Sequence, residues 1–395
     1  MKKLFKYIIP IIVVTFLGVG MWSCSGDDGP NGDTPPREDI PAVDRTVLVY
    51  IVGTNNLGGA LLDYADIDEM IAGSRKGALD HTNTRWLVYH CGYYNTSRLF
   101  EIAKGDTTTL KHYGNDVSSV SVNRMSEVLD DMARLAPASD YGLVLWSHGS
   151  GWLENGLAED ADKTNTLSFG DDRGAKMNVT SLAKVLEGRD IDYVYFDACH
   201  MCTVEVAYEL RHATRYIVGG PAETPGAGMP YDLTMASLAA GSIDNLVEAA
   251  GQTFNHYRLS SDCAMTVLDL SEIEALAEAT AQIYDATPLP HPSAEVTNYY
   301  GRARSGNFID FGEYVGALAD SNALDRTAFD RALQKTVVYS AAPDRFYSWA
   351  LLAWLPIYNA SGLSTYVFNS PDDFGFEGYD NLQWAKNVAA RHLHN

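Results

Sequence analysis

The sequence is short of positive charge. Its 29 lysines and arginines stand against 51 aspartates and glutamates, a formal net charge of −22. Phosphate backbones and anionic lipid surfaces repel such a chain, which excludes nucleic acid as a partner and favours basic ligands or basic peptide segments. Cysteine is scarce as well, and five residues in 395 do not make a disulfide scaffold. No internal repeat is present, which removes solenoids and propellers. The apolar run at residues 8–21 is too short to cross a bilayer comfortably. What remains is an ordinary globular composition, 46% apolar and 20% charged, long enough for one large core or two smaller ones.

The first residues read as a cleavable export signal, not as part of the fold. Lys2, Lys3 and Lys6 precede the apolar run, which ends in Met21-Trp22-Ser23-Cys24. This junction resembles a bacterial lipoprotein signal with a degenerate lipobox, and Asp27-Asp28 resemble the surface-export signal of Bacteroidetes lipoproteins. The resemblance implies a signal over residues 1–24 and lipidation at Cys24. It also implies membrane contact only through that lipid, at the outer membrane or cell surface of a Gram-negative bacterium. Residues 25–44, rich in Gly, Pro and Asp, form a flexible tether. Cys91, Cys199, Cys202 and Cys263 then face an export compartment that permits disulfides, with at least one free thiol expected.

Beyond the tether, strands and helices alternate. Buried strands are expected at 46–52, 85–91, 141–149, 191–199, 215–220 and 264–270, and a hairpin over 98–113 turning at Lys104-Gly105-Asp106. Helices are expected at 61–71, 124–135, 181–186 and 204–211, with two more before residue 264. This alternation indicates an α/β fold, a doubly wound and mostly parallel sheet with helices on both faces. The core is expected over 45–288. A C-terminal α+β extension, 289–395, is expected to pack on it, with helices at 311–319 and 325–334 and strands at 337–341 and 348–355.

Two strand ends carry the chemistry. One apolar strand ends in Ser147-His148-Gly149 and another in Asp197-Ala198-Cys199. If neighbours, they bring an imidazole and a thiol together at the carboxyl edge, where open α/β sheets place their sites. A thiol needs help to ionise, which a nearby imidazole or a helix N-terminus supplies. Cys199 is expected at a strand-to-helix junction. The Gly149 and Cys199 N–H groups would form an oxyanion site. Asp197, on the same strand face as Cys199, would raise the thiol pKa unless it serves to bind a cation. A pocket for an Arg or Lys side chain accounts for it, as does capping of the next helix.

The segments His-Gly-Ser-Gly-Trp at 148–152, Asp-Ala-Cys-His-Met-Cys-Thr-Val-Glu-Val-Ala-Tyr-Glu-Leu at 197–210 and Glu-Thr-Pro-Gly-Ala-Gly-Met-Pro-Tyr at 223–231 resemble the clostripain family (C11) of cysteine peptidases. The resemblance covers residues 46–270. It implies the caspase-like fold, a His148 base, a Cys199 nucleophile, Asp197 at the floor of the specificity pocket, and cleavage of polypeptides after Arg or Lys. Asp232 and Glu223 are both candidates for a second acidic pocket residue. It also implies self-cleavage between the His and Cys strands, with Lys163 the chosen site and Arg173 or Lys176 the alternatives. Cys202 and Met229 depart from the family pattern, which usually has a small and an aromatic residue there. No cofactor is required. Calcium activates some relatives and the acidic loop at 159–163 is where it would bind, although no EF-hand spacing is present.

Other readings compete. Cys199-His200-Met201-Cys202 is a C-x-x-C between strand and helix, the mark of a thiol-disulfide oxidoreductase, but that leaves His148 and Asp197 without a role. Zinc on Cys199, His200 and Cys202 lacks a second ligand pair. A non-catalytic peptide-binding lipoprotein of the same fold is the third, against which both reactive residues are present. His90 and His200 are the alternative bases, the first on a strand expected to be further away and the second pointing to the opposite face.

Overall fold

Alternation along the strands fixes the architecture. In β1 (Val43–Gly53), Val47, Val49 and Ile51 enter one apolar core while Leu48, Tyr50 and Val52 enter another. That is the signature of a strand covered on both faces. The computed structural model describes residues 40–153, 169–260, 263–287, 296, 298–300, 306–348, 352–368 and 378–389. The expected export signal with Cys24, most of the tether, and Lys163 in its acidic loop lie outside these.

β1 pairs in parallel with β2 (Thr84–Gly92) on one side and β5 (Ala138–Trp146) on the other. Antiparallel β3 (Arg98–Ala103) and β4 (Asp106–His112) extend the β2 side, turning where Lys104 and Gly105 take positive φ. A small hairpin, β6 (Phe169–Asp172) and β7 (Ala175–Met177), follows β5. β8 (Ile191–Asp197) pairs in parallel with β5 and with β9 (Tyr216–Gly219). β10 (Met265–Asp269) runs antiparallel to β9. The antiparallel three-stranded sheet of β11 (Asn298–Tyr300), β12 (Gly306–Asp310) and a later strand stands apart from it. β13 (Val337–Ala341) closes the main sheet antiparallel to β10, giving nine strands in the order β13-β10-β9-β8-β5-β1-β2-β3-β4. β14 (Arg345–Ser348) pairs with β15 (Ala353–Pro356), and β16 (Ser364–Phe368) completes the small sheet beside β12.

Helices cover both faces. α1 (Asn56–Gly59) is a single turn after β1, and α2 (Leu62–Arg75) follows it. α3 (Val122–Leu135), α4 (Val179–Leu186) and α5 (Val204–Leu210) bury Val128, Leu182 and Val206 in one core. α2, α6 (Tyr231–Ala240) and α7 (Ile243–Tyr257) bury Met70, Leu238 and Leu246 in the other. α8 (Ile273–Asp285), α9 (Phe311–Ser321) and α10 (Thr327–Thr336) return to the first.

The fold is α/β with a mostly parallel central sheet, as expected. Two local expectations are corrected. β10 is not a further parallel strand, because two successive helices, α6 and α7, return the chain to the edge it left, so the next strand must descend. The strand expected over 348–355 is two short strands, with Arg345 opposite Pro356. Residues from Ile40 onward form one compact unit, and the segment after 289 supplies β13 to the main sheet.

Candidate active site

Trp146, the last residue of β5, is the register partner of Asp197, the last of β8. His148 and Cys199 lie two residues beyond, so imidazole and thiol both reach the carboxyl edge. Both line a cleft of about 510 Å³ together with Asp197, Glu223, Thr224 and Tyr257. Gly149 permits the approach of the two strand ends. A Cβ there would stand 2.5 Å from the Cys199 carbonyl oxygen and 3.1 Å from its nitrogen.

Local hydrogen bonds hold the imidazole. The Asn55 side chain caps α1, accepting from Leu57 N–H (2.9 Å) and donating to Val52 O (2.9 Å), Asp171 O (2.9 Å) and Ser147 Oγ (3.2 Å). This fixes the next residue, Asn56, whose Oδ1 lies 2.6 Å from His148 Nε2. Burial holds the His148 pKa below its usual 6.5, with Asp171 working against that and Lys176 with it. The ring is therefore a neutral base at neutral pH.

The thiol environment differs from the expectation. α5 begins only at Val204, where the Thr203 hydroxyl accepts from Val206 N–H (3.1 Å), so Cys199 does not sit at a helix mouth. Its polar neighbour is instead the Thr224 N–H, 3.3 Å from Sγ. Burial pushes the thiol up to about 12, Thr224 N–H opposes this, and the Glu223 and Asp197 carboxylates add to it. β16 pins the segment after the thiol. Ser364 N–H donates to Cys202 O (3.1 Å), and buried Glu205 accepts from Thr365 Oγ1 (2.7 Å) and Tyr366 N–H (3.1 Å).

Asp197 continues the strand parity that sends Tyr193 and Tyr195 toward the α2/α6/α7 side. It accepts from Met229 N–H (3.0 Å) and Tyr231 Oη (2.9 Å), and burial pushes it up to about 6. Because the backbone of Met229 makes this contact, its non-aromatic side chain does not disturb it. Asp66, on α2, stands nearby and accepts from Trp146 Nε1 (2.5 Å). Nothing among the described residues bonds its other oxygen.

The remaining expected residues sort clearly. Glu223 lines the cleft and accepts from Ser348 Oγ (2.5 Å). Asp232 does not line it; it pairs at 2.9 Å with Lys76, the C-cap residue of α2. Arg173 occupies the β6–β7 turn with φ +54°, and Lys176 is half-buried near His148. His90 is buried 2.7 Å from Asp63. His200 is buried against the Phe308 ring, and burial pushes it down to about 4. Cys199 and Cys202 are free thiols, the second fully buried. Among the described residues no three His, Cys, Asp or Glu side chains converge as a metal site, and the acidic loop at 159–163 lies outside them.

Sequence reasoning passed over Asn56, Thr224 and Asp66. An Asn pair after a strand reads as a turn, a backbone N–H leaves no trace in composition, and an acidic residue in an amphipathic helix reads as surface.

The profile of the clostripain family, peptidase C11, matches residues 49–334. An inactive zymogen C11 protease from Parabacteroides distasonis is 28% identical, with a TM-score of 0.75 over 88% of this chain and 99% of its own. A secreted C11 cysteine protease from Bacteroides thetaiotaomicron, bound to an irreversible peptide inhibitor, is 24% identical, with a TM-score of 0.72 over 87% and 98%. A cysteine protease from B. fragilis is 25% identical, with a TM-score of 0.52 over 57% and 98%. No curated protein sequence matches the chain.

Proposed function

The chain belongs to the clostripain family of cysteine peptidases, with its caspase-like fold, and from that premise we propose that it is an endopeptidase cleaving after Lys or Arg through a His148/Cys199 dyad and an acyl-enzyme. The observation that carries this is the β5–β8 register, which delivers both side chains to one cleft with Asp197 beneath them.

With the Asn56 carbonyl oxygen facing Nε2, that nitrogen carries the ring proton and Nδ1 is the base. A neutral thiol beside a neutral imidazole favours proton transfer during attack over a standing ion pair. As Sγ bonds to the substrate carbonyl carbon, its proton passes to His148 and the carbonyl electrons move to oxygen. The Gly149 and Cys199 N–H groups would receive that oxyanion. Collapse expels the amine, which takes the His148 proton, and water, activated by the same ring, hydrolyses the thioester. Asp197 would accept the cationic side chain before the scissile bond, a charge-assisted pairing. Glu223 lines the same cleft and is the further acidic candidate, whereas the Lys76 pairing argues against Asp232.

The protein is further proposed to be exported, anchored through lipid on Cys24, and matured by self-cleavage at Lys163. The likeness to a zymogen supports the last point. Assaying the mature protein on fluorogenic peptides with Arg, Lys, Asp, Asn or Leu before the scissile bond tests the reading. Cysteine-dependent cleavage after Arg and Lys, with Cys199→Ala inert and remaining a single chain on a gel, is the expected result. Cleavage confined to Asp or Asn, or clipping of Cys199→Ala at an equal rate, would sink it.

A further inference from the structure

Behind the cleft wall lies a carboxylate that the reaction as described does not use. Asp66 is fully buried on α2, one oxygen bonded to Trp146 Nε1 and the other without a partner among the described residues. Three residues tie it to the cleft. Trp146, Asp197 and Gly228 all line the cleft wall, and Gly228 presses on the carboxylate so closely that a Cβ there would fall 2.5 Å from Oδ2 and 2.9 Å from Oδ1. Gly228 also has φ +76°, so it is glycine for two reasons. Gly228, which lines the cleft and carries no side chain, thus packs directly against the carboxylate.

We propose that Asp66 is the second carboxylate of the basic-side-chain pocket, completing with Asp197 a two-carboxylate floor that grips the cation of a Lys or Arg residue. The inference rests on the reading of the cleft as a pocket for basic side chains, and it gives Asp66 the place for which Asp232 and Glu223 were the candidates, leaving Glu223 as a cleft-lining group.

Two buried carboxylates without a cation between them cannot both stay ionised. Burial, then Asp197, pushes Asp66 up to about 9, while Asp197 itself rises only to about 6. The other groups facing the pair are Asp63 and Glu69 on α2, Tyr231 on α6 and Tyr257 on α7, and all are acidic or neutral. The free enzyme at neutral pH therefore keeps a proton on Asp66. An entering ammonium or guanidinium displaces it to solvent, leaving a carboxylate paired with the cation.

The test is the pH dependence of KM for paired substrates carrying Arg or uncharged citrulline before the scissile bond. For the Arg substrate KM should fall by up to about tenfold per pH unit between 7 and 9, while for citrulline it stays level. Asp66→Asn, which preserves the acceptor for Trp146, should flatten the Arg profile and lower kcat/KM on Arg by on the order of 10–100-fold. The loss on citrulline should be at least severalfold smaller than the loss on Arg. A level KM for Arg in the wild type overturns the proposal even if the variant does not fold, as does an Asp66→Asn enzyme with the wild-type Arg profile. If the wild type prefers citrulline or Leu to Arg, the basic-pocket reading itself falls, and the proposal with it.

Discussion

In the proposed mechanism a small contact would govern the imidazole. Asn56 is exposed and touches no core, yet its Oδ1 is the fixed partner of His148 Nε2. Asn56→Ala should lower kcat by about 10–100-fold with KM nearly unchanged, since only ring orientation and tautomer are lost. Asn56→Asp should instead move the acid limb of kcat/KM to higher pH. A carboxylate beside the ring favours the imidazolium, opposing the burial that now holds His148 below 6.5. A limb that moves to lower pH in Asn56→Asp would refute this orientation. The meeting of His148, Cys199, Gly149 and Asp197 at one sheet edge was legible in the sequence because each ends or follows an apolar run. Asn56 and Asp66 were not, because their importance depends on contacts to residues distant in the chain, Asp66 with Trp146 and Asn56 with His148.

At the scale of elements, β16 is what the linear reading could not foresee. No strand was expected there, only an extension packed on the core, and Ser364 and Thr365 bond to the segment that carries the thiol into α5. The link runs through Glu205, pushed up to about 7 by burial, with the Thr365 hydroxyl and Tyr366 N–H opposing. The folded state thus takes up a proton that the unfolded chain, near the usual 4.5, has released. Stability from this group is fully present below 4.5 and is lost as pH rises through about 7. Glu205→Gln should remove that slope, raising stability at pH 8 by on the order of 2–3 kcal/mol while changing little at pH 4.5. Thermal melts at the two values decide it, and an equal effect at both would refute the argument. The parallel strands were legible for a related reason: continuous apolar runs report double burial whatever the partner. Strand direction at β10 was not read, although it follows from the two helices expected before it.

For the whole molecule, acidity is the dominant property, with 51 acidic against 29 basic side chains. An excess of that size attracts basic peptides over distances that salt shortens. Cleavage of a peptide with several flanking lysines should lose severalfold in kcat/KM between about 0.05 and 0.5 M salt. A peptide with one Lys and compensating glutamates should barely respond. Equal sensitivity of the two would place the whole effect in the pocket.

The split between the strand ends and α2 has a consequence for how this enzyme can diversify. The proposed reacting groups follow directly on β5 and β8, whereas Asp66, proposed here for the pocket, is carried by α2, which precedes both strands in the chain. On the proposed pocket, substitutions in α2 would redraw the diet of the peptidase while the reacting atoms stay where they are. A graft of α2 from a relative with other tastes is the shortest route to a new cutter.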